Sequence, residues 1–155
     1  MKNKRGQRGF TLLELLVVLV IAGMMLGVVS FNAMPSERQR LQADAQRIAL
    51  LMQLARDEAI VRNQAVAFEA DQFGYRFLVR EERVWTPIKD EMLRERTFAL
   101  APVQLAITQQ TAEAAPTMRI LFGREPVDKP FTLTMRAADS SVTLHADGIG
   151  HFSVE

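Results

Sequence analysis

One carboxylate in this sequence lies where an ionised group is costly. Glu14 is the only charged residue between Phe10 and Phe31, a run made almost wholly of apolar and small residues. A carboxylate inside a membrane segment is strongly unfavourable unless it is paired, so its presence there indicates a function. On its own, Glu14 also fits a simpler interpretation, in which its side chain extends from the first helical turn to the water at the interface.

His145, Asp147 and His151 form a second group whose residue types could do chemistry, because two imidazoles and a carboxylate can bind a divalent metal. Strand alternation places His145 opposite Leu144 and His151 opposite Phe152, so both imidazoles should face solvent. Solvent-facing histidines beside a turn are the commoner case, and we expect no metal and no cofactor. The sequence also lacks a nucleophile elbow and a phosphate-binding loop, so we expect no enzyme.

The charge of the chain is divided unevenly. Residues 1–9 contain four basic residues and no acidic one, which leaves 15 basic against 18 acidic residues in the remainder. That remainder is not the basic protein that nucleic-acid binding would require. The absence of cysteine excludes disulfides and thiolate metal sites, and it suits a domain that works in an oxidising periplasm.

The apolar run from Phe10 to Phe31 has the length of a membrane span. Its 22 residues would form a helix of roughly 33 Å, close to the hydrocarbon thickness of about 30 Å. The basic residues before it place the N-terminus in the cytoplasm and predict a single crossing. Gly23 and Gly27 lie four residues apart, a spacing that would let another helix approach closely, although glycine is common in membrane helices generally.

Residues 32–62 are predicted to form a helical continuation outside the membrane. Pro35 predicts a kink or a short break. Ser36 and Gln39 have the spacing of a capping box, so a helix should restart there and end near Val61, either separate from the first helix or continuous with it. Apolar residues at steps of three and four form one stripe on this helix. The members of the stripe are Leu41, Ala45, Ile48, Met52, Ala55 and Ala59.

Residues 63–155 are predicted to form an antiparallel β domain, because the hydrophobic period changes from about 3.6 to 2. Asp147-Gly148 predicts a two-residue hairpin turn before a last strand. Residues 109–117 are polar and alanine-rich and predict a mobile loop. The clearest alternating segments are 66–70, 75–80, 103–107, 131–136 and 142–144, with weaker strands expected at 83–85, 97–100 and 119–122.

The N-terminal string Arg8-Gly9-Phe10-Thr11-Leu12-Leu13-Glu14 resembles the class III signal of type IV prepilins and pseudopilins. A secretory signal peptide would instead be cut after its apolar region. The resemblance implies that a prepilin peptidase cuts between Gly9 and Phe10 on the cytoplasmic side and methylates the new amine of Phe10. It also gives Glu14 a partner, the Phe10 amine of a neighbouring subunit, and a role in subunit assembly.

Further segments, spread over most of the chain, resemble the minor pseudopilin H of type II secretion systems. They are residues 50–59, Gly74-Tyr75-Arg76-Phe77, Trp85-x-Pro87, Leu93-Arg94-x-Arg96 and Pro130-Phe131-Thr132-Leu133. The resemblance implies an α+β, pilin-like fold, in which a long N-terminal transmembrane helix packs on an antiparallel β-sandwich. It implies a subunit near the tip of a periplasmic pseudopilus, anchored in the inner membrane. Its partners would be the major pseudopilin and the minor pseudopilins I, J and K.

A minor pilin of a type IV pilus or of a DNA-uptake system is the alternative, because such proteins share the N-terminal motif and the fold. A grip on DNA would need a basic patch, since neutralising phosphates supplies most of the affinity. Residues 137–155 contain three acidic residues and no lysine or arginine. The sequence therefore predicts no nucleic-acid partner.

Overall fold

The computed structural model describes residues 11–31, 35–108, 118–125, 127 and 129–155. The chain divides into two compact units, Met1–Pro35 and Ser36–Glu155. The basic leader 1–9, Phe10 and the predicted mobile loop 109–117 lie outside the described residues, so the expectations for them stay predictions.

The described part of the first unit contains one helix, α1 (Leu12–Phe31). It lies within the apolar run Phe10–Phe31, with Thr11 before its first residue and Phe10 outside the described residues. Over the residues that the structure describes, no helix has both the length and the apolarity needed to cross a membrane.

The second unit begins with α2 (Glu37–Val61), and the predicted capping box is present at its start. Ser36 Oγ accepts the N–H of Gln39 at 3.2 Å, and Gln39 Oε1 accepts the N–H of Ser36 at 2.8 Å. Ser36 has an extended backbone, so α2 starts as a helix of its own and does not continue an earlier one. The predicted apolar stripe is confirmed, because its six members are fully buried.

The described residues after α2 form nine strands, all paired antiparallel. They are β1 (Val66–Ala70), β2 (Gly74–Glu81), β3 (Val84–Pro87), β4 (Arg96–Thr97), β5 (Gln104–Thr108), β6 (Met118–Phe122), β7 (Phe131–Ala137), β8 (Ser140–Ala146) and β9 (Phe152–Val154). The first sheet has the order β3-β2-β1-β6, and β4 pairs with one end of β2. The second sheet has the order β5-β7-β8-β9.

Helix α2 is the packing partner that the two sheets share. It contacts β1 and β6 of the first sheet and β7, β8 and β9 of the second. Burial along β7 alternates, because only one face of this strand meets the core. The largest fully buried side chains come from the helix and from both sheets, among them Met52, Phe68, Phe77, Met135 and Leu144. The predicted α+β architecture is therefore confirmed.

Two local predictions are wrong for identifiable reasons. The turn at Asp147-Gly148 does not have two residues, because β8 ends at Ala146 and β9 begins at Phe152. The Asp147 carboxylate accepts backbone N–H groups from residues 149–151 and so stabilises a longer loop. The strand expected at 97–100 is reduced to β4, because the N–H of Ala99 is bound by a side chain of α2.

Candidate assembly site

The predicted assembly residue, Glu14, lies in the first turn of α1. Thr11 begins this turn: its Oγ1 accepts the N–H of Glu14 at 3.2 Å, and its carbonyl oxygen accepts the N–H groups of Glu14 and Leu15 at 3.1 and 3.2 Å. A carboxylate in the first turn interacts favourably with the helix dipole. The Glu14 side chain is exposed, so its carboxylate is open to a group from outside the chain.

The described surface of α1, over residues 12–25, is apolar apart from Glu14. Every large apolar side chain described in this helix is exposed, from 46% at Val17 to 82% at Leu12. An isolated helix of this composition is not stable in water and needs lipid or other helices around it. At Gly23 an added Cβ would meet nothing within 4 Å, so no contact of the described chain requires glycine there. The role expected for Gly23 and Gly27 in helix packing stays a prediction.

A buried carboxylate on α2 ties the helix to the long connection between β3 and β5. Asp44 is 3% exposed, and its Oδ2 accepts the N–H of Ala99 at 2.8 Å. Its Oδ1 lies 3.5 Å from Nη1 of Arg47 one turn later. Since an unsatisfied buried carboxylate is costly, this arrangement fixes the connection against the helix.

A second buried carboxylate, Glu69 on β1, binds two arginines on the neighbouring strands. Arg76 Nε donates to Glu69 Oε2 at 2.7 Å, and Arg119 Nη2 donates to Glu69 Oε1 at 2.5 Å. Burial raises the pKa of Glu69, but the hydrogen bonds and charges of Arg119 and Arg76 outweigh it and hold the pKa below its usual 4.5. Glu69 is therefore ionised at neutral pH.

The sequence did not single out Asp44 or Glu69, although it contained a signal for one of their contacts, that between Glu69 and Arg76. The turn at residues 71–74 fixes the register of β1 and β2, and this register places Glu69 directly opposite Arg76. The pairing of Glu69 with Arg119 joins residues 50 apart, and the bond from Asp44 to Ala99 joins residues 55 apart. No local pattern points to contacts of that range.

The structure brings together only two of the three residues of the alternative metal site. Nδ1 of His151 lies 2.9 Å from Oδ2 of Asp147. His145 instead pairs across the strands with Thr132, whose Oγ1 is 3.2 Å from Nδ1 of His145, and its Nε2 is 3.9 Å from Glu155. In the part of the chain that the structure describes, no group of three His, Cys, Asp or Glu side chains could hold a metal ion. Both imidazoles face solvent, as the strand alternation predicted.

Comparison with known proteins gives two matches to family models. Residues 44–150 match the family described as type II transport protein GspH. Residues 4–30 match the prokaryotic N-terminal methylation motif, and this range includes Gly9, Phe10 and Glu14.

Individual relatives agree with these matches. The type II secretion system protein H of Pseudomonas aeruginosa is 31% identical over 117 residues, which cover 70% of this chain and 68% of that protein. Two solved structures of the minor pseudopilin EpsH of Vibrio cholerae share the fold. One has a TM-score of 0.57 at 21% identity and covers 75% of this chain and 96% of its own. The other has a TM-score of 0.60 at 18% identity and covers 77% and 95%.

The GspH match covers more than half of the chain and nearly all of the second unit. The pilin-like α+β fold predicted from the sequence is the fold of the two solved pseudopilins. On this evidence the protein is a member of the GspH family of type II transport proteins.

Proposed function

We propose that this chain is a minor pseudopilin, a structural subunit near the tip of the periplasmic pseudopilus of a type II protein secretion system. The observation that carries the proposal is the GspH match over residues 44–150. This match lies in the globular unit, where pseudopilins differ from one another, and not in the N-terminal motif that pilins also share. If the chain were instead a minor pilin of a type IV pilus or a DNA-uptake system, that would explain the match over residues 4–30 but not the GspH match.

In this proposal residues 10–31 anchor the chain in the inner membrane. The basic leader stays in the cytoplasm, and residues 32–155 lie in the periplasm or in the pseudopilus. The exposed apolar surface of α1 supports an environment of lipid and neighbouring helices. Gly23 and Gly27 would lie on one face of the helix and allow one such neighbour to approach closely.

Prepilin peptidase would cut the chain between Gly9 and Phe10 and methylate the amine of Phe10. The match to the methylation motif supports this processing. Glu14 would then bind the Phe10 amine of a neighbouring subunit, so that two charges are neutralised together in an apolar setting. The position of Glu14 in the first turn of α1, with its side chain exposed, suits this contact.

The proposed role is structural, and it needs neither catalysis nor a cofactor. The partners would be prepilin peptidase, the major pseudopilin and the minor pseudopilins I, J and K. Each of these contacts would form through the membrane helix or through surfaces of the globular unit.

The test is complementation of a strain that lacks this chain. Wild-type protein should restore type II secretion, and Glu14→Ala should not, although its leader is still removed, because cleavage precedes any contact with a neighbour. Glu37→Ala is the matched control, since Glu37 is also an exposed acid in the first turn of a helix. It should restore secretion and crosslink to the major pseudopilin as the wild type does. Unchanged secretion in the strain that lacks the chain would refute the proposed function.

A further inference from the structure

The first sheet has a charged outer face, which points away from α2. Phe68, Phe77 and Ile120 face the core, so the residues that alternate with them face outward. The strand register brings the outward residues together, with Glu69 opposite both Arg76 and Arg119, and Arg80 opposite Trp85. We call Arg76, Arg80, Arg119 and Trp85 the arginine–tryptophan face.

Trp85 covers the centre of this face. It lies on β3, and Arg119 lies on β6 at the other end of the strand order, yet the Cζ of Arg119 is 5.7 Å from the centroid of the Trp85 ring. The Cζ of Arg80 is 5.9 Å from the same ring. The side chains therefore meet above β2 and β1, and this explains why the outward-facing Leu78 and Ala67 are buried outside the main core.

The face carries more positive than negative charge. Glu69 is its one carboxylate among the described residues; its side chain is 7% exposed and already binds two arginines. The side chains of Arg76 and Arg119 are 46% and 41% exposed, and a guanidinium has five N–H donors, so each can bind a further acceptor. The bond to Glu69 and the contact with Trp85 hold the Arg119 side chain in place before any partner binds.

Apolar area suited to a protein partner lies beside these charges. Leu121, two residues from Arg119 on the same face of β6, is 56% exposed. Tryptophan and arginine are the residues most enriched at the energetic centres of protein interfaces. Taken together, residues 10–155 contain more acidic than basic residues. The concentration of arginine on this face is therefore a local feature.

We propose that the arginine–tryptophan face is a docking surface for an acidic segment of a partner protein. Carboxylates of the segment would bind Arg80 and Arg119, and an apolar side chain between them would pack on Trp85 and Leu121. This chemistry fits better than a nucleic acid, which needs many phosphate contacts along its backbone. It also fits better than a membrane surface, which is bound by larger clusters of basic residues. The proposal does not depend on the pseudopilin assignment.

Trp85 is the only tryptophan of the chain, so its fluorescence reports on the face directly. The experiment uses the full chain in non-ionic detergent micelles and a fluorescein-labelled dodecapeptide with five glutamates and two leucines among serine and glycine residues. The peptide should change the Trp85 emission in a saturable manner and raise its own anisotropy. The same peptide with glutamines in place of the glutamates should do neither.

Arg80→Glu should weaken peptide binding at least tenfold, because it reverses an exposed charge that lies beside Trp85. Arg80 is not one of the two arginines that bind Glu69, so the variant should leave that cluster in place. Arg38→Glu makes the same charge change on the exposed start of α2 and should leave the affinity within twofold. If Arg80→Glu does not fold, Arg80→Gln should still weaken binding several-fold.

Three results would overturn the proposal. The first is no saturable response to the acidic peptide. The second is an equal loss of binding in Arg80→Glu and Arg38→Glu. The third is that Arg80→Glu weakens binding to phosphatidylglycerol vesicles or to oligothymidine but not to the acidic peptide. That result would assign the face to lipid or to nucleic acid instead.

Discussion

The cluster around Glu69 allows a quantitative test of the structure. Replacing both Arg76 and Arg119 by alanine leaves a carboxylate that is nearly buried and has lost both of its partners. Breaking a fully buried ion pair from one side costs about 3–5 kcal/mol. These arginines are 46% and 41% exposed and their removal admits water to Glu69, so we expect a loss of about 2–3 kcal/mol. Because a domain of this size is stable by roughly 5–15 kcal/mol, the double variant should be strongly destabilised and still able to fold.

The pH dependence of this loss follows from the direction of the pKa. In the wild type the pKa of Glu69 is lowered below 4.5, so the contribution of its ion pairs is present above about pH 4.5 and is lost as the pH falls through the lowered value. In the double variant neither arginine lowers the pKa of Glu69, so this pKa is higher than in the wild type. Protonation then relieves the penalty, and the difference between wild type and variant should shrink between pH 7 and pH 4.

The assay is urea denaturation of the full chain in detergent, followed by Trp85 fluorescence at pH 7 and at pH 4. Adding Glu69→Gln to the double variant removes the buried charge and should recover part of the loss at pH 7. Arg136→Ala, which removes an exposed arginine from β7, is the control and should change the free energy of unfolding by no more than about 0.5 kcal/mol. A loss below about 1 kcal/mol in the double variant, or an equal loss at both pH values, would refute the reasoning.

Three further predictions concern backbone geometry and one carboxyl group. Gly74→Ala should destabilise the chain by about 1–3 kcal/mol or more, because the added Cβ would lie 2.4 Å from the carbonyl oxygen of Arg96. Gly123→Ala is the control: the nearest atom that the new Cβ would meet is 3.9 Å away, so stability should change by less than about 0.5 kcal/mol. Urea denaturation measures both variants. Ser36→Ala removes the cap of α2 and should cost about 1 kcal/mol in the same assay. Burial raises the pKa of Asp147, but the backbone N–H groups and the imidazole that it binds lower it to about 2; carbon NMR titration should give this value, and a pKa near 3.8 would contradict the loop.

The elements whose contacts are local were predictable from the sequence. The burial of α2 follows from apolar residues at steps of three and four, and its start follows from the spacing of Ser36 and Gln39. The strands β1 and β2 follow from their alternation and from the turn between them. The strand β3 begins one residue later than expected, because Glu82 has a φ of 54° in the two-residue turn before it.

The contacts between distant segments were not predictable in this way. Nothing in the residues around Glu69 indicates that β6 pairs with β1, so the second arginine of the cluster appears only in the folded chain. Trp85 is half-buried, and its two arginine partners depend on the strand order. Arg96 is partly buried, and it donates to the carbonyl oxygens of Glu91 and Met92, although the arginines and glutamates that alternate around it are a pattern typical of a solvated surface.

Leader processing can be read from the mass of the mature chain. The protein should be extracted from membranes of cells that contain prepilin peptidase and from cells that lack it, and its N-terminus should be measured by intact mass and by sequencing. In the first cells the chain should begin with methylated Phe10, and in the second it should be uncut and retain residues 1–9. A mature chain that begins at or after Ala22, or a leader that remains attached in the presence of the peptidase, would contradict this processing.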